Sequence, residues 1–123
     1  MKHSDSDTTI EALKAVAHDF VKDRKWEKYH TARNLAESIS IEASELLELF
    51  QWTLGGDEAP IGAEAAKLAR MKEELGDVLI YCLCLANVAG IDVSRAVLDK
   101  VRKNEEKYPI ERYKGSYSKP VKE

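Results

Sequence analysis

The chain has 123 residues, enough for one domain with a single core, and is short enough that association between copies could complete the burial of its apolar surface. Its 19 basic and 22 acidic residues give a net charge of −3 and are mixed along the chain, so no basic face indicates nucleic acid or an anionic membrane as a partner. A polyanionic ligand would therefore need the help of a bound cation.

The N-terminal segment and the cysteines indicate the compartment. MKHSDSDTT is polar and lacks the apolar centre of a signal peptide, and the longest apolar run is too short to span a bilayer. Cys82 and Cys84 are the only cysteines, and their spacing matches neither a CxxC redox pair nor a zinc framework. We therefore predict a cytoplasmic protein whose thiols are reduced and structural.

The spacing of the apolar residues predicts an all-α protein, because no alternating pattern is long enough for a sheet. A first helix is expected from Asp7 or Thr8 to about Arg24. A second helix is expected from an N-cap at Thr31 to about Thr53. The segment LGGDEAPIG, with three glycines and a proline, is expected to be the loop that follows it.

A third helix is expected from about Ala63 to Ala89. Its second half, VLIYCLCLANVA, is apolar around nearly the whole circumference, which predicts burial on all sides. Gly90 is expected to cap this helix, Asp92 to begin a fourth, and Pro109 to lie beyond the fourth helix's end.

Acidic residues fall inside the apolar stripes of two of these helices. With about 3.6 residues per turn, Glu42 of the second helix lies within the stripe and Glu45 at its edge. In the third helix Glu74 and Asp77 also face inward, and an ionised carboxylate there is costly unless it is paired or bound to a metal. Because side chains three apart are neighbours on a helix, apposing the two helices would bring four carboxylates together. Four hard oxygen donors suit magnesium or manganese.

Two other interpretations of the acids remain open at this point. They could be solvated or salt-bridged to lysines, which is the usual role of a single ExxE motif, although two such pairs in apolar stripes argue against it. A di-iron carboxylate bundle is the other alternative, but its helices usually carry Glu-x-x-His. His3, His18 and His30 all lie outside the acidic pairs.

Further candidates are ambiguous when each is considered alone. Lys100 and Asn104 share a face of the fourth helix and could meet phosphate oxygens, yet lysines near helix C-termini are common without such a role. Trp26, Trp52 and Tyr81 could be ordinary core or interface aromatics.

The acidic motifs together resemble a known family. ExxE at Glu42 and Glu45, followed after 28 residues by ExxD at Glu74 and Asp77, resembles the MazG-like all-α nucleoside triphosphate pyrophosphohydrolases. The segments WEKYHTARNL, ELFQW, EELGDVLIYCL and KNEEKYP are similar to the dCTP pyrophosphatase branch, so the resemblance extends from about residue 10 to about residue 110.

The resemblance implies hydrolysis of a nucleoside triphosphate, dCTP or a related pyrimidine deoxynucleotide, between its α and β phosphorus atoms, in control of the nucleotide pool. It assigns catalysis and the binding of Mg²⁺, or of Mn²⁺, to the four acids. Contacts to the base and sugar are implied for His18, Trp26, His30 and Trp52. Contacts to the phosphates or sugar are implied for Tyr81, Lys100 and Asn104, and Asn34 is a further substrate-binding candidate.

The resemblance also implies a four-to-five-helix bundle of the MazG-like type, assembled as a homodimer or homotetramer. We expect the domain to cover residues 1–110 and a loosely ordered tail to cover 111–123. Two departures from the family pattern are Ala43-Ser44, where glycine is frequent, and Lys107, where arginine is frequent. Alternative functions are the same chemistry on dUTP or on modified or damaged nucleotides, and a non-catalytic helical interaction module that binds metal.

Overall fold

The computed structural model describes residues 3–52 and 64–116. Within these ranges the chain forms α-helices and one short 3₁₀ turn but no β-strand, which confirms the predicted all-α class. The segment LGGDEAPIG, predicted to be a loop, lies outside the described residues. The helices are α1 (Ile10–Asp23), α2 (Ala32–Glu48), α3 (Ala65–Ala89), α4 (Val93–Lys107) and α5 (Ile110–Tyr113), and the 3₁₀ turn is Glu27–Tyr29.

Side-chain caps begin α2 and α4. The Thr31 hydroxyl accepts a hydrogen bond from the backbone N–H of Asn34, and the Asp92 carboxylate accepts one from the backbone N–H of Arg95. Each bond satisfies a first-turn N–H that has no partner within its helix. Both predicted caps are therefore confirmed.

The C-terminus of α2 differs from the prediction, because the helix ends at Glu48 rather than near Thr53. The backbone N–H groups of residues 49–51 donate to carbonyl oxygens three residues back, which tightens the last turn. Trp52 then adopts a φ of 71°, a left-handed conformation that cannot continue a right-handed helix.

Gly90 ends α3, as predicted, in a left-handed conformation with a φ of 67°. An added Cβ at Gly90 or at Gly76, within α3, would meet no neighbouring atom inside 4 Å, so conformational preference alone should decide the effect of alanine. We expect Gly90→Ala to lower the free energy of unfolding by about 1 kcal/mol and Gly76→Ala to raise it by up to about 1 kcal/mol. Urea unfolding of both variants measures the difference. If both substitutions changed the free energy of unfolding in the same direction, backbone conformation would not explain their effects.

The first of two compact units, residues 1–91, contains α1, α2 and α3. α3 packs against both other helices. Tyr81, Leu83 and Leu85 pack, partly buried, around the core. The residues of that core are Ala17 and Val21 from α1, Leu35 from α2 and Cys84 from α3.

One side of α3 is exposed, so the prediction that its second half is buried on all sides is wrong for the single chain. Cys84 and Ala86 are buried, whereas Leu75, Leu79 and Ile80 remain about half exposed. The physical reason is that, among the described helices of this unit, only α1 and α2 pack against α3. We call Leu75 and Leu79, which lie one turn apart on the same side of the helix, the α3 outer face.

The second unit, residues 92–123, contains α4 and α5. α4 ends at Lys107, before Pro109, as predicted. The rings of Tyr108 and Tyr113 pack edge to face with their centroids 5.1 Å apart. The expected domain end at residue 110 coincides with the start of α5 and stays a prediction. No helix in the described ranges is, taken singly, long and apolar enough to cross a membrane.

Candidate active site

Two acids from α2 and two from α3 converge in the first unit. One carboxylate oxygen from each lies within 4.8 Å of the other three. The pairs form because residues three apart share a helix face, and they meet because α2 packs against α3. We call this group the carboxylate cluster, and its members are Glu42, Glu45, Glu74 and Asp77.

The carboxylate cluster contains buried oxygens that need a partner. Glu42 Oε2 and Glu74 Oε2 are buried, and no donor in the described part of the chain bonds to either oxygen. The ion pairs within the described residues, Arg33 with Glu37 and Arg102 with Asp99, do not involve the cluster, so salt bridges do not explain the inward acids. A buried carboxylate oxygen without a donor is costly, and four carboxylates are the kind of ligand set that Mg²⁺ and Mn²⁺ prefer. The residues present therefore fit a divalent cation.

Mutual repulsion and burial change the acidity of the carboxylate cluster. Burial is the main cause that raises the pKa of Glu42 to about 7, followed by the neighbouring Glu45 carboxyl group and then by the negative charges of Asp77 and Glu74. Burial and Glu45 also raise the pKa of Glu74, which the nearby Arg70 partly opposes. Without a cation, the cluster thus retains protons that isolated carboxylic acids would release.

A cavity of about 510 Å³ lies next to the carboxylate cluster. Tyr81 connects the two, because it lines the cavity and its pKa is raised by burial and then by the charges of Glu42 and Asp77. The volume is in the usual range of small-molecule sites. We call it the aromatic cavity, and it is lined by Trp26, Tyr29, His30, Asn34, Leu35, Glu37, Ser38, Ile41 and Tyr81.

Contacts around the 3₁₀ turn hold the wall of the aromatic cavity. The Trp26 ring packs edge to face on Phe20, with the ring centroids 5.8 Å apart, and the Arg24 guanidinium lies 3.7 Å from the Phe20 ring centroid. Asn34 Nδ2 donates a 2.9 Å hydrogen bond to the carbonyl oxygen of Tyr29, which ties the turn to α2. These contacts orient Trp26 and Tyr29 without involving a ligand.

Comparison with known proteins places this architecture in a family. Residues 37–119 match the MazG-like family model. The chain belongs to the MazG-like family. This membership confirms the resemblance drawn from the acidic motifs.

Individual relatives agree with the family match. This MazG-like chain is 37% identical to dCTP pyrophosphatase 1 of Rattus norvegicus over 111 residues, which are 90% of this chain and 65% of the relative. It is 40% identical to dCTP pyrophosphatase 1 of Homo sapiens over 101 residues, 82% of this chain and 59% of the relative. The chain thus spans less than two thirds of the length of these two relatives.

A solved structure supports the fold as well as the family. A pyrophosphatase from Archaeoglobus fulgidus DSM 4304 has a TM-score of 0.72 and 45% sequence identity to this chain. The match covers 89% of this chain and 98% of the archaeal chain. The MazG-like fold is therefore matched over nearly the full length of the archaeal protein.

The structure brings together only some of the residues implied to bind substrate. Trp26, His30, Asn34 and Tyr81 share the aromatic cavity. His18 instead lines a second cavity of about 220 Å³, to which His30 also contributes. The role of His18 in the same base pocket as Trp26 stays a prediction that the cavities of the described residues do not support.

The remaining candidates are Trp52 in the first unit and two residues of α4 in the second. Trp52 is 89% exposed and lines neither of these two cavities. Lys100 and Asn104 belong to α4 in the second unit, and their roles stay predictions.

Five residues of the aromatic cavity were missed by sequence reasoning, namely Tyr29, Leu35, Glu37, Ser38 and Ile41. A usable signal existed for Glu37, since it lies three residues after Asn34 and so falls on nearly the same face of α2.

The raised pKa of Glu42 predicts how stability without metal depends on pH. The pKa rises from its ordinary value near 4.5 to about 7, so the stabilising contribution of protonated Glu42 is complete below about pH 4.5 and is lost as pH rises through about 7. We expect Glu42→Gln to reduce the loss of stability between about pH 5 and about pH 8, as measured by urea unfolding in EDTA. Glu48→Gln, on the exposed end of α2, is the control and should keep the wild-type slope. Equal slopes for wild type and Glu42→Gln would contradict the assignment.

Proposed function

We propose that this MazG-like protein hydrolyses a nucleoside triphosphate between the α and β phosphorus atoms, with dCTP or a related pyrimidine deoxynucleotide as substrate. The observation that carries the proposal is the carboxylate cluster beside the aromatic cavity, joined through Tyr81. The names of the rat and human relatives and of the archaeal pyrophosphatase support the same chemistry. The products would be the nucleoside monophosphate and pyrophosphate, and the role would be control of the nucleotide pool.

In this proposal the carboxylate cluster holds Mg²⁺ or Mn²⁺. A divalent cation there neutralises phosphate charge and lowers the pKa of an attacking water. The cluster must release its retained protons before it can act fully as a ligand set, so cation affinity should increase as pH rises through about 7. This requirement follows from the same crowding that raises the pKa of Glu42.

The aromatic cavity would hold the nucleoside. Trp26 and Tyr29 offer flat faces on which a base can stack, and such stacking contributes about 1–3 kcal/mol per base with little selectivity. The Tyr81 hydroxyl is protonated at neutral pH, as that of an ordinary tyrosine is, so it can donate a hydrogen bond to a sugar or phosphate oxygen. The proposal keeps His18, Trp52, Lys100 and Asn104 as further contacts on the basis of the family resemblance.

The exposed side of α3 supports a proposed assembly. The α3 outer face is apolar and exposed, and a second copy of the chain could cover it in a symmetric dimer. Pairing of dimers would produce the tetramer that the resemblance implies.

A turnover panel tests the proposed function. The common ribonucleoside and deoxyribonucleoside triphosphates are incubated with the protein and Mg²⁺, and pyrophosphate and monophosphate are measured together. We expect dCTP to give the highest kcat/KM and to yield dCMP with pyrophosphate. Preference for dUTP would favour the alternative substrate, and absence of turnover with any nucleotide would leave the non-catalytic metal-binding module.

A further inference from the structure

The side of the aromatic cavity formed by α2 carries polar groups whose function is not explained by stacking. Asn34, Glu37 and Ser38 line the cavity from this helix. Asn34 and Glu37 are three residues apart, so their side chains are neighbours on the helix surface. Whether these two groups donate or accept hydrogen bonds decides which edge of a base can bind beside them.

Asn34 presents an acceptor. Its Nδ2 donates to the carbonyl oxygen of Tyr29 at 2.9 Å, so the donor end of the amide is directed at the backbone of the 3₁₀ turn. No donor within the described residues binds its Oδ1. A side-chain amide oxygen can only accept hydrogen bonds.

Glu37 presents a second acceptor, because an ionised carboxylate has no donor. Its Oε1 accepts from Arg33 Nε at 3.2 Å, and the side chains of Arg33 and Glu37 are 88% and 57% exposed. An exposed ion pair of this kind is weak, so it does little to hold the carboxylate away from a ligand in the cavity. Glu37 Oε2 accepts no hydrogen bond within the described part of the chain.

A cavity with aromatic faces and two neighbouring hydrogen-bond acceptors suits a base that carries a hydrogen-bond donor on its edge. We propose that Glu37, with Asn34 Oδ1 beside it, selects the exocyclic amine of an amino-pyrimidine such as cytosine. Carboxylates accept hydrogen bonds from the cytosine amine, whereas uracil and thymine place a carbonyl oxygen at the same position and would face the carboxylate with an unpaired acceptor. The inference rests on the proposed function, since it assigns the base specificity of that same site.

The test compares the kcat/KM of dCTP with that of dUTP, which differ at the 4-position of the base and in the protonation of the adjacent ring nitrogen. In Glu37→Gln we expect the dCTP-to-dUTP ratio to fall by about tenfold, because a glutamine amide can also donate to the uracil carbonyl. Glu48→Gln makes the same chemical change on α2 outside the cavity and should keep the wild-type ratio. Arg33→Gln removes the ion pair but keeps the carboxylate, and it should also keep the ratio.

An analogue isolates the role of the amine. A 2-pyrimidinone deoxynucleoside triphosphate carries hydrogen where cytosine carries the amine, and we expect Glu37→Gln to change its kcat/KM much less than that of dCTP. An unchanged dCTP-to-dUTP ratio in Glu37→Gln, or an equal fall of the ratio in Arg33→Gln, overturns the inference while wild-type turnover leaves the proposed function standing. Absence of turnover by the wild-type protein overturns the proposed function, and the inference with it.

Discussion

Asp77→Asn and Glu45→Gln are each expected to lower the rate of pyrophosphate release by at least about a hundredfold without disturbing the helices. Each change replaces an anionic oxygen donor by an amide of nearly the same volume, so it weakens cation binding and leaves the packing of α2 against α3 intact. Glu48→Gln is the matched control on α2. Steady-state assays at saturating Mg²⁺, together with circular dichroism, measure the two effects separately.

The same variants should be at least as stable as wild type when no metal is present. The carboxylates of the cluster lie within 4.8 Å of one another, and removal of one charge relieves their repulsion. In the presence of Mg²⁺ or Mn²⁺ the order should reverse, because wild type gains more binding energy than the variants. Turnover near the wild-type level in either variant would exclude the assignment of the carboxylate cluster as the metal site.

Leu79→Asp is expected to raise the dissociation constant of the proposed dimer by at least about a hundredfold, or to cause aggregation. Leu79 is 52% exposed on the α3 outer face, and in a symmetric dimer the substitution would bury two unpaired carboxylates at one interface. Leu83 is less suitable for this test, because it packs against the core of its own chain.

Leu79→Met provides the control, since it keeps an apolar side chain of similar size and should keep the assembly. Sedimentation velocity and equilibrium experiments on wild type and both variants measure the association. A well-folded wild-type monomer at micromolar concentration would rule out the proposed interface. The catalytic test and the association test are independent, because Leu79 does not belong to the carboxylate cluster.

The sequence alone was sufficient for several features that depend on neighbours along one helix. The caps at Thr31 and Asp92 and the left-handed Gly90 follow from side chains and backbone within a few residues. The two acidic pairs follow from helical spacing, and the motif that they form is sufficient to indicate the MazG-like family, which the family match confirms.

Other features could not be predicted because they depend on distant parts of the chain or on local backbone geometry. α2 ends at Glu48, since a tightened turn and the left-handed Trp52 replace the helical turn that the apolar pattern would continue. The second half of α3 is apolar on nearly every side, yet the pattern cannot show that, among the described helices of this unit, only α1 and α2 pack against it.

The aromatic cavity shows most clearly the difference between features set by local sequence and features set by tertiary packing. Residues from the 3₁₀ turn, α2 and α3 meet there, whereas His18, only eight residues before Trp26, lines a different cavity. Helical spacing by itself determined that each acidic pair shares a face, because that relation is set within a few residues. Only the packing of α2 and α3 decided that the pairs converge and that Glu37 reaches the cavity, because contacts between segments far apart in sequence depend on how the helices pack in three dimensions.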